Sequence, residues 1–123
     1  MTQPADIPRY RIRLVFADGV FMGPGKAELL ERIARTGSIA AAGREMGMSY
    51  KRAWQLVEAM NAMYREPVVL SSRGGAKGGG AEVTETGRAV LAAYNGIEAA
   101  ARQAGAGHAA AMVDLLADMP DGK

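Results

Sequence analysis

The sequence contains no cysteine and a single histidine, His108. The first absence excludes disulfides, thiolate metal sites and thiol nucleophiles. The second excludes a histidine-based triad and a multi-histidine metal site, and His108 itself stands in an alanine-rich stretch. No apolar run approaches the ~18 residues of a transmembrane helix. The N-terminus Met1-Thr2-Gln3-Pro4-Ala5-Asp6 lacks the apolar core of a signal peptide. The expectation is a soluble cytoplasmic protein without membrane contact. Phosphate-loop signatures are missing as well. Gly25-Lys26 ends like a Walker A loop, but Val20 and Ala27 stand where that pattern needs glycine and a hydroxyl. Glu28 likewise occupies the third glycine's place in a dinucleotide fingerprint begun by Gly23 and Gly25. With the carboxylates falling mostly on solvent faces of expected helices, no catalytic role and no cofactor or metal are expected.

What is present is an ordinary globular mixture: 123 residues, 49% hydrophobic and 23% charged. That length suits one domain with a real core. The net charge of +2 does not by itself demand a nucleic-acid partner, but its distribution is uneven. From Arg44 to Lys77 six basic residues (Arg44, Lys51, Arg52, Arg65, Arg73, Lys77) face three acidic ones (Glu45, Glu58, Glu66). From Gln103 onward Asp114, Asp118 and Asp121 outnumber Lys123. The middle of the chain is the candidate phosphate-facing surface and the tail is not.

Within that middle, residues 37–54 read as two short helices joined by a tight glycine turn. Ser38 and Ser49 stand where N-caps belong. Ala40, Ala41 and Ala42 allow close packing of the first helix, and Gly47 sits where the chain reverses, at a position suited to positive φ. The second helix opens with Ser49, Tyr50, Lys51, Arg52 and Gln55, and has no carboxylate before Glu58. A helix-turn-helix needs that layout, because its second helix enters the major groove N-terminal end first. Serine and backbone N–H groups suit phosphate oxygens, whereas lysine, arginine and glutamine suit base edges. The plainer alternative is a helical corner that merely packs.

The flanking segments complete an architecture. Residues 1–8 are polar with two prolines and are expected to be disordered. Arg9, Arg11 and Arg13 then alternate with Tyr10, Ile12, Leu14 and Phe16, the pattern of a half-buried strand. The arginines make a basic solvent face, with DNA contact as the sharper alternative. Asp18-Gly19 is a hairpin signal leading into Val20-Phe21-Met22. A helix is expected from about Lys26 to Thr36 with Leu29, Leu30, Ile33 and Ala34 inward, and Gly37 closes it. The helices of residues 38–46 and 49–64 follow, the longer one burying Ala53, Trp54, Leu56, Val57, Met60 and Tyr64. Trp54 is a possible stacking residue, but its place on that stripe favours the core. After Pro67, Val68–Ser71 and Ala81–Val83 are expected to pair as a ribbon across a glycine-rich tip. Five of the seven residues from 74 to 80 are glycine, and Arg73 and Lys77 lie in that region. Such a tip is either a flexible linker or a wing able to approach a phosphate backbone. Thr84 caps a long helix with Val90, Leu91, Tyr94, Ile97 and Ala101 inward. Gly105-Ala106-Gly107 is expected to interrupt it before a last amphipathic stripe of Met112, Leu115, Leu116 and Met119. The fold class is therefore α+β, mainly α: a winged helix-turn-helix over residues 9–104, with a short tail over 105–123.

Gly23-Pro24-Gly25, Gly37-Ser38-Ile39, the run Met48–Trp54, Met60-Asn61 and the glycine-rich wing together resemble the DNA-binding domain of ModE-type molybdate-dependent transcriptional regulators. The similarity covers roughly residues 8–103. The helix-turn-helix alone is equally similar to the LysR-type family. The resemblance implies a homodimer that binds double-stranded DNA and controls genes for molybdate uptake and molybdoenzymes. On it, Ser49, Tyr50, Lys51, Arg52 and Gln55 face the major groove, with Ser38 beside them. Arg73 and Lys77 grip the backbone, and the helix from Thr84, with the N-terminal hairpin as a further candidate, forms the dimer interface. Members of that family carry C-terminal molybdate-binding domains, and this sequence ends at Lys123. A stand-alone form is expected: an unliganded regulator, one dependent on a separate effector-binding protein, or one put to another regulatory use. Two rival readings remain. One is a winged helix that acts only through a partner protein docked on the amphipathic tail. The other is a small oxyanion sensor, suggested only by serine and backbone N–H groups.

Overall fold

The computed structural model describes residues 8–72 and 80–117. The expected disordered N-terminus, apart from residue 8, and the wing residues Arg73 and Lys77 lie outside that range, as does Met119. Asp18-Gly19 turns the chain with Gly19 at φ +73°, and β1 (Leu14–Ala17) pairs antiparallel with β2 (Val20–Met22). The strand is shorter than its alternation suggests. Arg9, Arg11 and Arg13 are exposed and Tyr10 and Ile12 half-buried, as expected, but they lie outside the ladder. The facing strand is three residues long and offers them no partner. Ile12 is held instead by the Tyr94 hydroxyl, which donates to its carbonyl at 2.6 Å. Phe16, expected inward, is 60% exposed. A register irregularity between Val15 and Ala17 alters which side chains share a face there.

The first helix, α1 (Pro24–Thr36), begins two residues before the expected Lys26. Proline suits a helix start because its φ is already helical and its missing N–H would have had no partner. Leu29, Leu30 and Ile33 are fully buried. Ala34, expected inward, is exposed, while Lys26 and Ala27 in the first turns are buried. Gly37 closes α1 in the left-handed region, φ +72°, its N–H donating to the Ile33 carbonyl.

The next two helices, α2 (Ile39–Glu45) and α3 (Tyr50–Met63), are joined by a turn in which Gly47 has φ +73°. They cross closely: a Cβ on Gly43 would stand 2.9 Å from the Ala53 Cβ. Ala53, Val57 and Met60 are buried, while Trp54, Leu56 and Tyr64 are half-buried against the same core.

Beyond Pro67, β3 (Val69–Ser72) and β4 (Gly80–Val83) pair antiparallel, Val69 opposite Val83 and Ser72 opposite Gly80. Three polar ties seat this ribbon. The Asn61 side chain accepts from Val68 and Val69 N–H at 2.8 and 3.1 Å and donates to the Val69 carbonyl at 3.1 Å. Thr84 donates to the Pro67 carbonyl at 2.6 Å, and Ala81 N–H donates to the Gly37 carbonyl at 2.9 Å. The fold is thus mainly helical, a winged helix-turn-helix preceded by a hairpin and followed by a long helix.

That last helix, α4 (Glu85–Asp114), runs without the expected break at Gly105-Ala106-Gly107. The boundary drawn at residue 104 therefore falls inside one helix. Two effects keep it continuous. The surrounding alanines have the highest helix propensity, against a cost of about 1 kcal/mol per glycine. Gly105 also leaves room for Tyr10, whose hydroxyl would be 2.9 Å from a Cβ placed there. Tyr94 is buried, but Ile97, expected inward, is 39% exposed because it lies beyond the core that Tyr94 meets. Met112, Leu115 and Leu116 are exposed as well, so none of the described members of the expected stripe is buried. Among the described residues no helix is long and apolar enough to cross a membrane.

Candidate nucleic-acid interface

Two helix starts define the candidate interface. Ser38 caps α2, its hydroxyl oxygen accepting from Ala41 N–H at 3.0 Å. Ser49 caps α3 by accepting from Arg52 N–H at 3.1 Å. In both, the oxygen satisfies a backbone donor while the hydroxyl proton stays available to an acceptor outside the helix. Both serines therefore take the cap roles read from the sequence, with the positive end of a backbone dipole behind each.

The opening turns of α3 sort its polar residues into three rows, because residues four apart share a helix face. Lys51 and Gln55 are exposed and lie opposite the core row of Ala53, Val57 and Met60. Tyr50, 57% exposed, and Trp54 stand on one flank. There they line a groove of about 380 Å³ with Ser38, Ser71, Ser72 and Ala81. This groove separates the helix-turn-helix from the ribbon base and joins elements far apart in sequence. Trp54 packs on the core, the place its stripe favoured, and also lines this groove.

Arg52 and Leu56 make up the other flank. Arg52 lies not with Lys51 and Gln55 but in a depression shared with Arg11, Arg13 and Lys26. In the sequence Lys26 stands out only for a rejected Walker A likeness and as a helix start, with no sign of this cluster. Burial pushes its ammonium below the usual lysine value, and Arg13 and Arg52 push it further. The structure thus brings together Ser38, Tyr50 and the ribbon base, sets Lys51 and Gln55 outward, and diverts Arg52 to a separate cationic cluster. Asn61 was also missed as a functional support; its signal was a polar residue on the inner half of α3.

The α1–α2 corner behind the interface is fastened by charge. Arg32 donates to Glu28 and Glu45, each at 2.9 Å, and Arg35 also binds Glu45. Arg35 first, then Arg32, hold the Glu45 carboxyl below its ordinary value.

Residues 25–88, from α1 into α4, match the model of the bacterial regulatory helix-turn-helix proteins of the lysR family. The chain belongs to that family. Relatives in it share more than the fold. The chain is 52% identical over 81 residues to the molybdenum-pterin-binding protein MopB of Rhodobacter capsulatus, covering 66% of this chain and 30% of MopB. It is 39% identical over 80 residues to the molybdenum transport protein ModE of Azotobacter vinelandii, covering 65% and 30%. It is 36% identical over 76 residues to the DNA-binding transcriptional dual regulator ModE of Escherichia coli K12, covering 62% and 29%. These relatives bear out the resemblance to ModE-type proteins, and the matched stretch spans under a third of each. The family is one of regulators, in keeping with the expectation that this domain is not an enzyme.

Proposed function

We propose that this lysR-family domain is a sequence-specific DNA-binding transcription regulator acting as a homodimer on an inverted-repeat operator. The observation that carries the reading is the exposed, Ser49-capped start of α3 with Lys51 and Gln55 outward, beside the half-buried Ser38 cap of α2. Lys51 and Gln55 read base edges, Ser38, Ser49 and Tyr50 bind flanking phosphates, and Arg73 and Lys77 hold the backbone from the wing. The names of the relatives, one a molybdenum transport protein and one a molybdenum-pterin-binding protein, point to genes of molybdenum uptake or use as targets. Two recognition helices related by a two-fold axis would sit about 34 Å apart, or a multiple of it, along one face of the duplex.

The test is selection of bound duplexes from a random library at about 150 mM salt, where non-specific binding is weak. An enriched inverted repeat is expected. A single enriched half-site would overturn the dimeric part, and no enrichment would overturn sequence reading. A second reading, a winged helix that acts through a partner protein, draws on Met112 near the end of α4 and Leu115 and Leu116 just past it, all exposed. It predicts that removing residues 108–123 abolishes partner capture and leaves duplex binding intact.

A further inference from the structure

The flank of α3 facing away from the ribbon holds a depression of about 300 Å³. Arg11 and Arg13 reach it from the chain before β1, Lys26 from the first turn of α1, and Arg52 from α3. None of its lining residues is acidic, and among the described residues none of these four cations is paired with a carboxylate. Elsewhere the pattern is different: Arg32 and Arg35 sit on Glu28 and Glu45.

The cluster is built rather than incidental. Lys26 is only 8% exposed. Its ammonium donates to the Phe21 carbonyl at 2.9 Å and stands 3.6 Å from the Phe21 ring centroid. The Arg13 guanidinium carbon is 4.1 Å from the same centroid. The ring face attracts both cations through its quadrupole and holds them near each other against their repulsion. One Lys26 donor is satisfied by the Phe21 carbonyl, and an ammonium has three. Gly23, the N-cap of α1, supplies no side-chain cap, so the first-turn amides lining the same depression receive none from it. Like charges gathered without a counter-charge raise the energy of the free domain, and an arriving anion relieves it. Guanidinium groups match the oxygens of a phosphate in planar, forked geometry.

We propose that this depression is a phosphate-group site that takes a DNA backbone phosphate beside the base contacts of α3. The proposal rests on the DNA-binding reading. Its position selects the source of the phosphate: Arg52 belongs to α3 and Met48 to the turn before it, so the site borders the helix assigned to the major groove. Arg52 is thereby a backbone residue rather than a base reader, and the footprint extends on the hairpin side of the half-site, opposite the wing.

The test uses the full chain and a duplex recovered by selection, with binding followed by fluorescence anisotropy at several salt concentrations. The variant is Arg11→Gln/Arg13→Gln; both side chains are exposed, and far-UV circular dichroism with a melting curve checks its fold. The expected result is equal weakening on the selected and an unrelated duplex, unchanged base preference, and a salt slope shallower by about one to two units. A neutral methylphosphonate at one flanking position should weaken the wild type and not the variant. Unchanged affinity and slope in the variant, with the wild type still binding duplex, would overturn the site and leave the DNA reading standing. Failure of the wild type to bind any duplex would overturn both. The free-anion source is tested by adding inorganic phosphate or sulfate at millimolar concentration. If it raises the melting temperature of the wild type alone while the DNA salt slopes coincide, the site serves a free oxyanion and the backbone assignment falls.

Discussion

Gln55 stands one turn after Lys51 on the most outward row of α3, opposite Ala53, Val57 and Met60. Among the described residues a side chain there has no hydrogen-bond partner, so its removal should leave the domain intact and report on the ligand. Gln55→Ala should cost about 1–3 kcal/mol on the selected duplex and relax preference at one base pair. Equal losses on every duplex would assign Gln55 to the backbone instead. Tyr94 is the contrasting case, a residue whose work is internal. It is 3% exposed, and its hydroxyl reaches across the fold to the Ile12 carbonyl. Tyr94→Phe should lower the unfolding free energy by about 0.5–1.5 kcal/mol, the usual worth of one such bond. Urea denaturation checks it, and a variant as stable as the wild type would mean that Ile12 is held by packing alone.

Among elements, the angle between α2 and α3 depends on one missing side chain. A Cβ on Gly43 would crowd the Ala53 Cβ at 2.9 Å, so Gly43→Ala should destabilise the domain by about 1–3 kcal/mol through overpacking. Ala53→Gly in the same chain should recover part of the loss, although glycine in a helix has its own cost of about 1 kcal/mol. Strictly additive effects in the double variant would show that the two residues do not touch. The α1–α2 corner carries a pH signature. Because Glu45 ionises more readily in the folded state, the folded state binds fewer protons there than the unfolded one as pH falls toward and below 4.5, the ordinary value. Its stabilisation is present above that value and lost as pH falls through the lower, folded one. The wild type and Glu45→Gln should therefore differ in melting temperature at neutral pH and converge in acid; parallel curves would remove the ion pairs from the account.

At this scale the sequence was most informative where backbone chemistry is local. Ser38, Ser49, Gly37, Gly47 and Thr84 bound the helices as their chemistry suggests. It was least informative where a distant contact decides. Nothing near Gly105 announces Tyr10, and nothing near Lys26 announces Arg11, Arg13 and Arg52. The strand expected through Arg9 likewise ended where its partner did, a limit set by β2 rather than by residues 9–13. At the interface, residue types identified the right helix, but only its orientation separated Arg52 from Lys51 and Gln55.

For the whole molecule, the unresolved physical demand lies in α4. A helix of 30 residues rises about 45 Å, and its last buried residue is Tyr94, in its first third. Tyr10 against Gly105 is a further anchor, but Ile97, Met112, Leu115 and Leu116 face solvent. Helices gain most of their stability from packing an apolar face, and exposed apolar groups favour burial. A second copy of α4 would supply that burial and the two-fold axis an inverted repeat requires. Ile97→Ser/Met112→Ser is the variant of choice, since neither residue is buried in this chain and the fold should survive. Sedimentation equilibrium at tens of micromolar should give a dimer for the wild type and a shift toward monomer for the variant. On DNA, the loss should be large on the intact inverted repeat and small on an isolated half-site, because only the former benefits from linking two recognition helices. A dimeric variant with undiminished binding to the repeat would place the two-fold interface on another face, and a monomeric wild type would leave α4 for a different partner.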